Sequence, residues 1–230
     1  MKVADQVETG ISWQKINGMR VVVAAFGIFY GLTGVIAGFF EILQGNTTPN
    51  SFVISTIGPN YSMANDFTYF AVTIIPNFLI TGILAILISC LIIIWAVAFV
   101  HKKYGVTILL ILSITQMLVG GGWVIDLALI TCILATQIDK PLNWWRSHLP
   151  KNIQLWLTKL FPFSVIVYAI VALSMNVLSI LGVNNKAFID LIGILAAFMF
   201  IPIVFMIFGG LAHEIQRHSP SLIQTKQMTN

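Results

Sequence analysis

Apolar residues run almost unbroken through four stretches of the chain, 21–43, 77–100, 163–183 and 191–213. A helix needs about 20 such residues to cross a hydrocarbon core roughly 30 Å thick, so each stretch predicts a membrane span. Ile75-Pro76 precedes the second, where proline is tolerated at a helix start. Asn184, Asn185 and Lys186 form a short turn between the last two. Mostly polar residues fill positions 1–20, with no early apolar core and no small-residue cleavage site, so the first stretch is expected to be a retained span, not a signal peptide.

A fifth apolar region, 106–137, is 32 residues long and would make a single helix of about 48 Å, too long for one crossing. Gly120, Gly121 and Gly122 lie at its centre. Consecutive glycines suit a tight turn better than a helix interior, which predicts two short spans, 106–118 and 123–137. Charge supports the division. With six spans and the N-terminus inside, Lys and Arg divide 11 to 1 in favour of the cytoplasmic side, only Lys186 falling outside; with one long central span the division is 6 to 6. The positive-inside tendency selects six spans with both termini cytoplasmic. A re-entrant pair that dips in and returns gives the same sidedness.

The expected fold is therefore an all-α polytopic transmembrane bundle, a single membrane domain over 1–230. Composition agrees: 58% of residues are hydrophobic, 9% are charged and mean hydropathy is +0.93, against about 25% charged residues in an average soluble domain. The segment 140–160 carries Trp144, Trp145 and Trp156 together with Lys and Arg. After Pro150, residues Ile153, Trp156, Leu157 and Leu160 share one helix face, as in an amphipathic helix lying in the inner interface and anchored by its tryptophans.

Ionisable groups at membrane depth are costly and point to function. Glu41 lies near the outer end of the first span. It continues the spacing of Gly27, Gly31, Gly34 and Gly38, which recur at steps of four, three and four on one helix side. Such a small-residue seam packs against a neighbouring helix and would turn Glu41 toward protein. The alternative is a stem that reaches headgroups and water. Asp126 and Asp190 fall in the first turns of later spans, where a carboxylate also complements the helix dipole. With Asp66 they give the outer side a formal balance of −3 against Lys186. Asn77, Thr81, Ala85 and Ser89 share one side of the second span, and Asn77 sits at about the depth of Glu41, within prospective hydrogen-bond reach. Glu41, Asn77, Asp126 and Asp190 are thus the candidate ion or proton site. Gln116, Tyr168 and Asn176 read as interhelical contacts and Pro202 as a kink.

Other chemistries are not written here. Cys90 and Cys132 sit singly in apolar runs without metal-ligand spacing. His213, Glu214 and His218 mimic HExxH with one residue too many, which places the two imidazoles on different helix faces. There is no phosphate-binding loop, no serine-nucleophile elbow and no basic aromatic groove for nucleic acid, and no cofactor is implied. Asn46-Thr47-Thr48 and Asn60-Tyr61-Ser62 are glycosylation triplets in the first outer loop. The strings GFFEILQGN (38–46), LVGGGW (118–123) and PLNWWRSHL (141–149) resemble those of uncharacterised multi-span membrane proteins of prokaryotes. That resemblance implies a fold type and a membrane location, and no activity. The functional expectation is a small transport or permeation protein, or a subunit of one. The rivals are a membrane scaffold, contacting other subunits or its own copies, and, last, an intramembrane enzyme using Glu41 or Asp126.

Overall fold

A computed structural model describes residues 16–58, 70–122, 125–181 and 185–217. The second glycosylation triplet, Asp66, Trp123, Asn184, His218, Lys2, Lys15 and Lys226 lie outside the described residues. The chain is mostly helical: α1 (Gly18–Leu43), α2 (Phe78–Ile94), α3 (Gly105–Leu118), α4 (Ile125–Ala135), α5 (Asn143–His148), α6 (Lys151–Leu181) and α7 (Lys186–Arg217). Four helical stretches, α1, α2 with the π turn that extends it through Phe99, α6 and α7, are long and apolar enough to cross a membrane.

α1 is the centre of the bundle. It packs against α2, α4, α6 and α7, whereas α6 and α7 lie chiefly against one another. Half of its most apolar window is buried, against 22–28% for the other three long helices, because its partners surround it. Met19, Val22, Val23, Phe26 and Tyr30 fill the core from one side of α1. Phe26 meets the Tyr168 ring of α6 edge to face at 5.3 Å. At the N-terminal end of α1 a methyl group added to Gly18 would lie 2.8 Å from the Gly210 carbonyl, so α1 and α7 also approach through glycine there.

The glycine triplet does separate two helices. Gly120 and Gly122 take φ of +88° and +85°, a region open to glycine at little cost, and α3 ends at Leu118 before α4 begins at Ile125. The turn is stitched to a small antiparallel hairpin, β1 (Val53–Ser55) with β2 (Phe70–Val72), which pairs Ile54 with Ala71. Gly120 N–H donates to the Val72 carbonyl at 2.9 Å, and Ile74 N–H to the Leu118 carbonyl at 3.1 Å.

Two boundaries depart from the sequence reading. The 140–160 segment is not one separate interfacial helix: α5 is short, Pro150 accepts from Gln154 N–H at 3.0 Å to open α6, and α6 then runs without interruption through Pro162 to Leu181. The face it buries is Gln154, Leu157 and Phe161, while Ile153 and Trp156 are exposed. Likewise α7 begins at Lys186, with the Asn185 side chain accepting from Ala187 N–H, so Asp190 stands beyond its first turn.

Candidate functional site

The glycine side of α1 faces α2. Methyl groups added at Gly27 and Gly31 would sit 2.2 Å from Ala96 Cβ and 2.4 Å from Ile93 Cγ1. At Gly38 one would sit 2.6 Å from the Gly82 carbonyl, and at Gly82 one would sit 2.5 Å from the Gly38 carbonyl. The two backbones touch at that level with no side chain between them. One turn further along α1 comes Glu41.

Glu41 is 0% exposed. Its carboxylate lies over Gly120, where an added methyl group would fall 2.4 Å from Oε1 and 2.6 Å from Oε2. Among the described residues neither oxygen has a hydrogen-bond partner of good geometry. The nearby N–H groups are already committed, Gly120 to Val72 and Gly121 to the Gln116 carbonyl at 2.9 Å. The Thr81 hydroxyl lies beside the carboxylate, yet it donates along its own helix to the Phe78 carbonyl at 3.0 Å. Glu41 therefore occupies space that Gly120 leaves free, roofed by the 119–122 turn. Gln44 ties the end of α1 to the hairpin by donating to the Thr56 carbonyl at 2.7 Å.

A second enclosed polar group adjoins this roof. Gln116 of α3 is fully buried and donates to Ser89 Oγ at 3.0 Å and the Tyr30 carbonyl at 3.2 Å, while its own Oε1 has no partner. It fits only because position 34 is glycine: a methyl group there would meet Gln116 Nε2 at 1.9 Å. Gln116 also lies against Gly121, next in sequence to the glycine beneath Glu41. Tyr30 and Ser113 hydroxyls, 3.3 Å apart, continue the polar seam between α1 and α3.

The candidate residues are not all brought together. Asp126 and Asp190 are exposed, whereas Glu41 is enclosed. No three His, Cys, Asp or Glu side chains converge as for a metal among the described residues. Asn77 does not reach Glu41. Its Nδ2 donates to Asn46 Oδ1 at 2.5 Å and its Oδ1 accepts from Ile80 N–H at 3.0 Å, because it caps α2 and is drawn to the loop leaving α1. Thr81, Ala85 and Ser89, on the same side of α2, are buried. Trp144 and Trp156 are largely exposed, at 62% and 56%, and Trp145 packs edge to face on Phe208 at 5.9 Å.

The opposite end of α1 carries a cluster that the sequence reading did not single out. Arg217 pairs with Glu214 and with Asp139 at 2.6 Å, and Asn17 Nδ2 donates to the same Asp139 oxygen at 2.9 Å. The i, i+3 spacing of Glu214 and Arg217 was a readable signal; Asp139, 78 residues away, was not.

No known protein family, curated protein or solved structure matches the chain. The class that fold and site define is, among the described residues, a helical bundle with four helices of membrane-spanning proportions, built round a central glycine-faced helix that carries the enclosed carboxyl group of Glu41.

Proposed function

We propose that this chain is a small polytopic membrane transport protein in which Glu41 carries a proton, or a small cation in its place, during permeation. The observation that carries the reading is the enclosed carboxylate whose oxygens have no hydrogen-bond partner among the described residues. A bare charge buried this way costs several kcal/mol on the order of magnitude known for real proteins, so the enclosed state calls for a neutralising proton or cation. Gln116 Oε1, a second buried acceptor with no partner, supplies a further oxygen beside the same glycine turn. Oxygen acceptors without donors suit a hard cation or a hopping proton.

In this reading the chain crosses six times, with α3 and α4 as a short hairpin and both termini in the cytoplasm of a cell whose plasma membrane holds it. The 11-to-1 division of Lys and Arg supports that sidedness. Glu41 then faces the outer half, and release requires the roof formed by the 119–122 turn and the hairpin to part. The scaffold reading is weaker, since the glycine seam is consumed within one chain.

Proteoliposomes holding the full chain provide the test, with proton and monovalent-cation flux followed under an imposed gradient. Glu41→Gln keeps shape and removes the charge. Flux above protein-free vesicles that falls at least about tenfold in Glu41→Gln is expected; equal flux in the two proteins overturns the role of Glu41.

A further inference from the structure

Two cavities at the Arg20 end of the molecule belong to one continuous trough. The first, about 490 Å³, is bounded by Arg20, His101, Asp139 and Arg217. The second, about 430 Å³, is mainly apolar and lies between α1 and α6, with Ile28 and Leu32 on one wall, Ala169 and Leu173 on the other, and Tyr168 and Asn176 as its polar lining residues. They share Val21 and Ala24. From Val21 to Leu32 the trough follows α1 for about 17 Å, close to half of a hydrocarbon core. A cationic head and an apolar channel one leaflet deep are therefore joined in series.

We propose that this trough is a binding site for one anionic phospholipid, its phosphate at Arg20 and one acyl chain laid between α1 and α6. The charge at the head is unequally spent. Arg217 and Asp139 satisfy one another, and Glu214 takes a second side of Arg217. Among the described residues the Arg20 guanidinium makes one hydrogen bond, to the Val97 carbonyl at 3.2 Å, and so keeps donors for a phosphate. The first turn of α1 adds the positive end of a 26-residue helix dipole. Local potential is positive at the mouth as well: after loss of hydration, the charges of Arg20 and Lys102 hold the His101 imidazole below its ordinary range against the opposing pull of Asp139. A zwitterionic lipid would fit the apolar channel equally well but brings its own cation to a cationic head. A free phosphate would use the head and ignore the channel. The site rests on the membrane placement of the chain and is independent of Glu41.

The experiment is native mass spectrometry of the full chain in neutral detergent, incubated separately with phosphatidylglycerol, phosphatidylcholine and inorganic phosphate. One phosphatidylglycerol retained per chain is expected, at least about tenfold above phosphatidylcholine, as one charge-assisted contact allows. Arg20→Gln should erase that preference and Arg20→Lys keep part of it. Ala169→Leu, at an exposed wall position, should lower retention of both lipids by filling the channel. Melting temperatures of all variants in lipid-free detergent should match the parent, so that lost retention reports the site and not the fold. Equal retention of the two lipids by the parent, or an undiminished preference in Arg20→Gln, overturns the proposal. So does phosphate binding that matches phosphatidylglycerol and is unaffected by Ala169→Leu. Retention unchanged in Glu41→Gln separates this result from the transport reading.

Discussion

Gly34→Ala adds one methyl group at the tightest point of the α1 seam. The new carbon would lie 1.9 Å from Gln116 Nε2 and 2.3 Å from Ser89 Oγ, so the carboxamide must leave its two acceptors, the Tyr30 carbonyl and Ser89. Overpacking a core costs about 1–3 kcal/mol. Leaving the buried amide unpaired adds about 1–3 kcal/mol. Alanine's better helix preference returns about 1 kcal/mol. The net loss is about 3 kcal/mol, which at about 2–4 °C per kcal/mol lowers the melting temperature by roughly 6–12 °C. Gly193→Ala is the control: nothing lies within 4 Å of its added carbon, so only the helix preference remains and the sign reverses. Thermal unfolding in mild detergent measures both, and Gln116→Ala completes a double-mutant cycle in which the loss from Gly34→Ala shrinks once the carboxamide is gone. A Gly34→Ala protein as stable as its parent, or a Gly193→Ala protein equally weakened, would refute this account of the seam.

Other perturbations test neighbouring parts of the structure. Gly120→Ala forces a side chain into φ of +88° and onto the Glu41 oxygens, so stability should fall by about 1–3 kcal/mol in chemical denaturation, and more than in Gly45→Ala, whose φ is +73° with open space around it. Glu41→Leu replaces an unpartnered enclosed carboxyl by an apolar group and should unfold no earlier than the parent while its flux is lost; an earlier midpoint would mean that the carboxylate has a partner. His101, in an imidazole proton-resonance titration, should release its proton below the ordinary histidine range. Arg20→Gln removes a positive neighbour, favours the protonated ring and moves the midpoint upward; no movement would show that Arg20 does not set the potential there.

What was legible follows from which physics is local. Long apolar runs are set by solvent alone, so α1, α2 and α7 fall where hydropathy placed them, and α7 gained residues at each end, 186–190 and 214–217. The break at Gly120–Gly122 was legible because glycine acts on its own backbone. The start of α6 was not: residues 151–160 are amphipathic and rich in Lys and Trp, and sequence alone does not distinguish a helix lying in an interface from the first turns of one that continues inward. The three-residue strands β1 and β2 carry too little period to register, and their pairing depends on contacts with the α3 turn. At the site, the spacing of Gly38 and Glu41 gave the face, but whether Glu41 reached water depended on Gly120, some eighty positions along the chain. Asn77 matched Glu41 in depth and still missed it, because Asn46 offered a closer acceptor.

The enclosure of Glu41 has a simple structural logic. A carboxylate can be hidden among helices only if volume is vacated for it, and here Gly120 vacates it from the turn after α3, while Gly38 and Gly82 let α1 and α2 close up one turn away. Gly120 brings no side-chain donor, and its own N–H and that of Gly121 are spent on the hairpin and on Gln116. Packing that makes room for the charge therefore leaves, among the described residues, only the Thr81 hydroxyl beside it, and that hydroxyl donates to the Phe78 carbonyl. A structural carboxyl group would normally be supplied with donors, since each adds about 1.5–3 kcal/mol when the partner is charged. A carrier gains from having none, because both carboxylate oxygens then stay free to accept an incoming proton or cation. The absence of donors around Glu41 is thus a liability for stability and an asset for exchange, and the comparison of Glu41→Leu with Glu41→Gln separates the two effects.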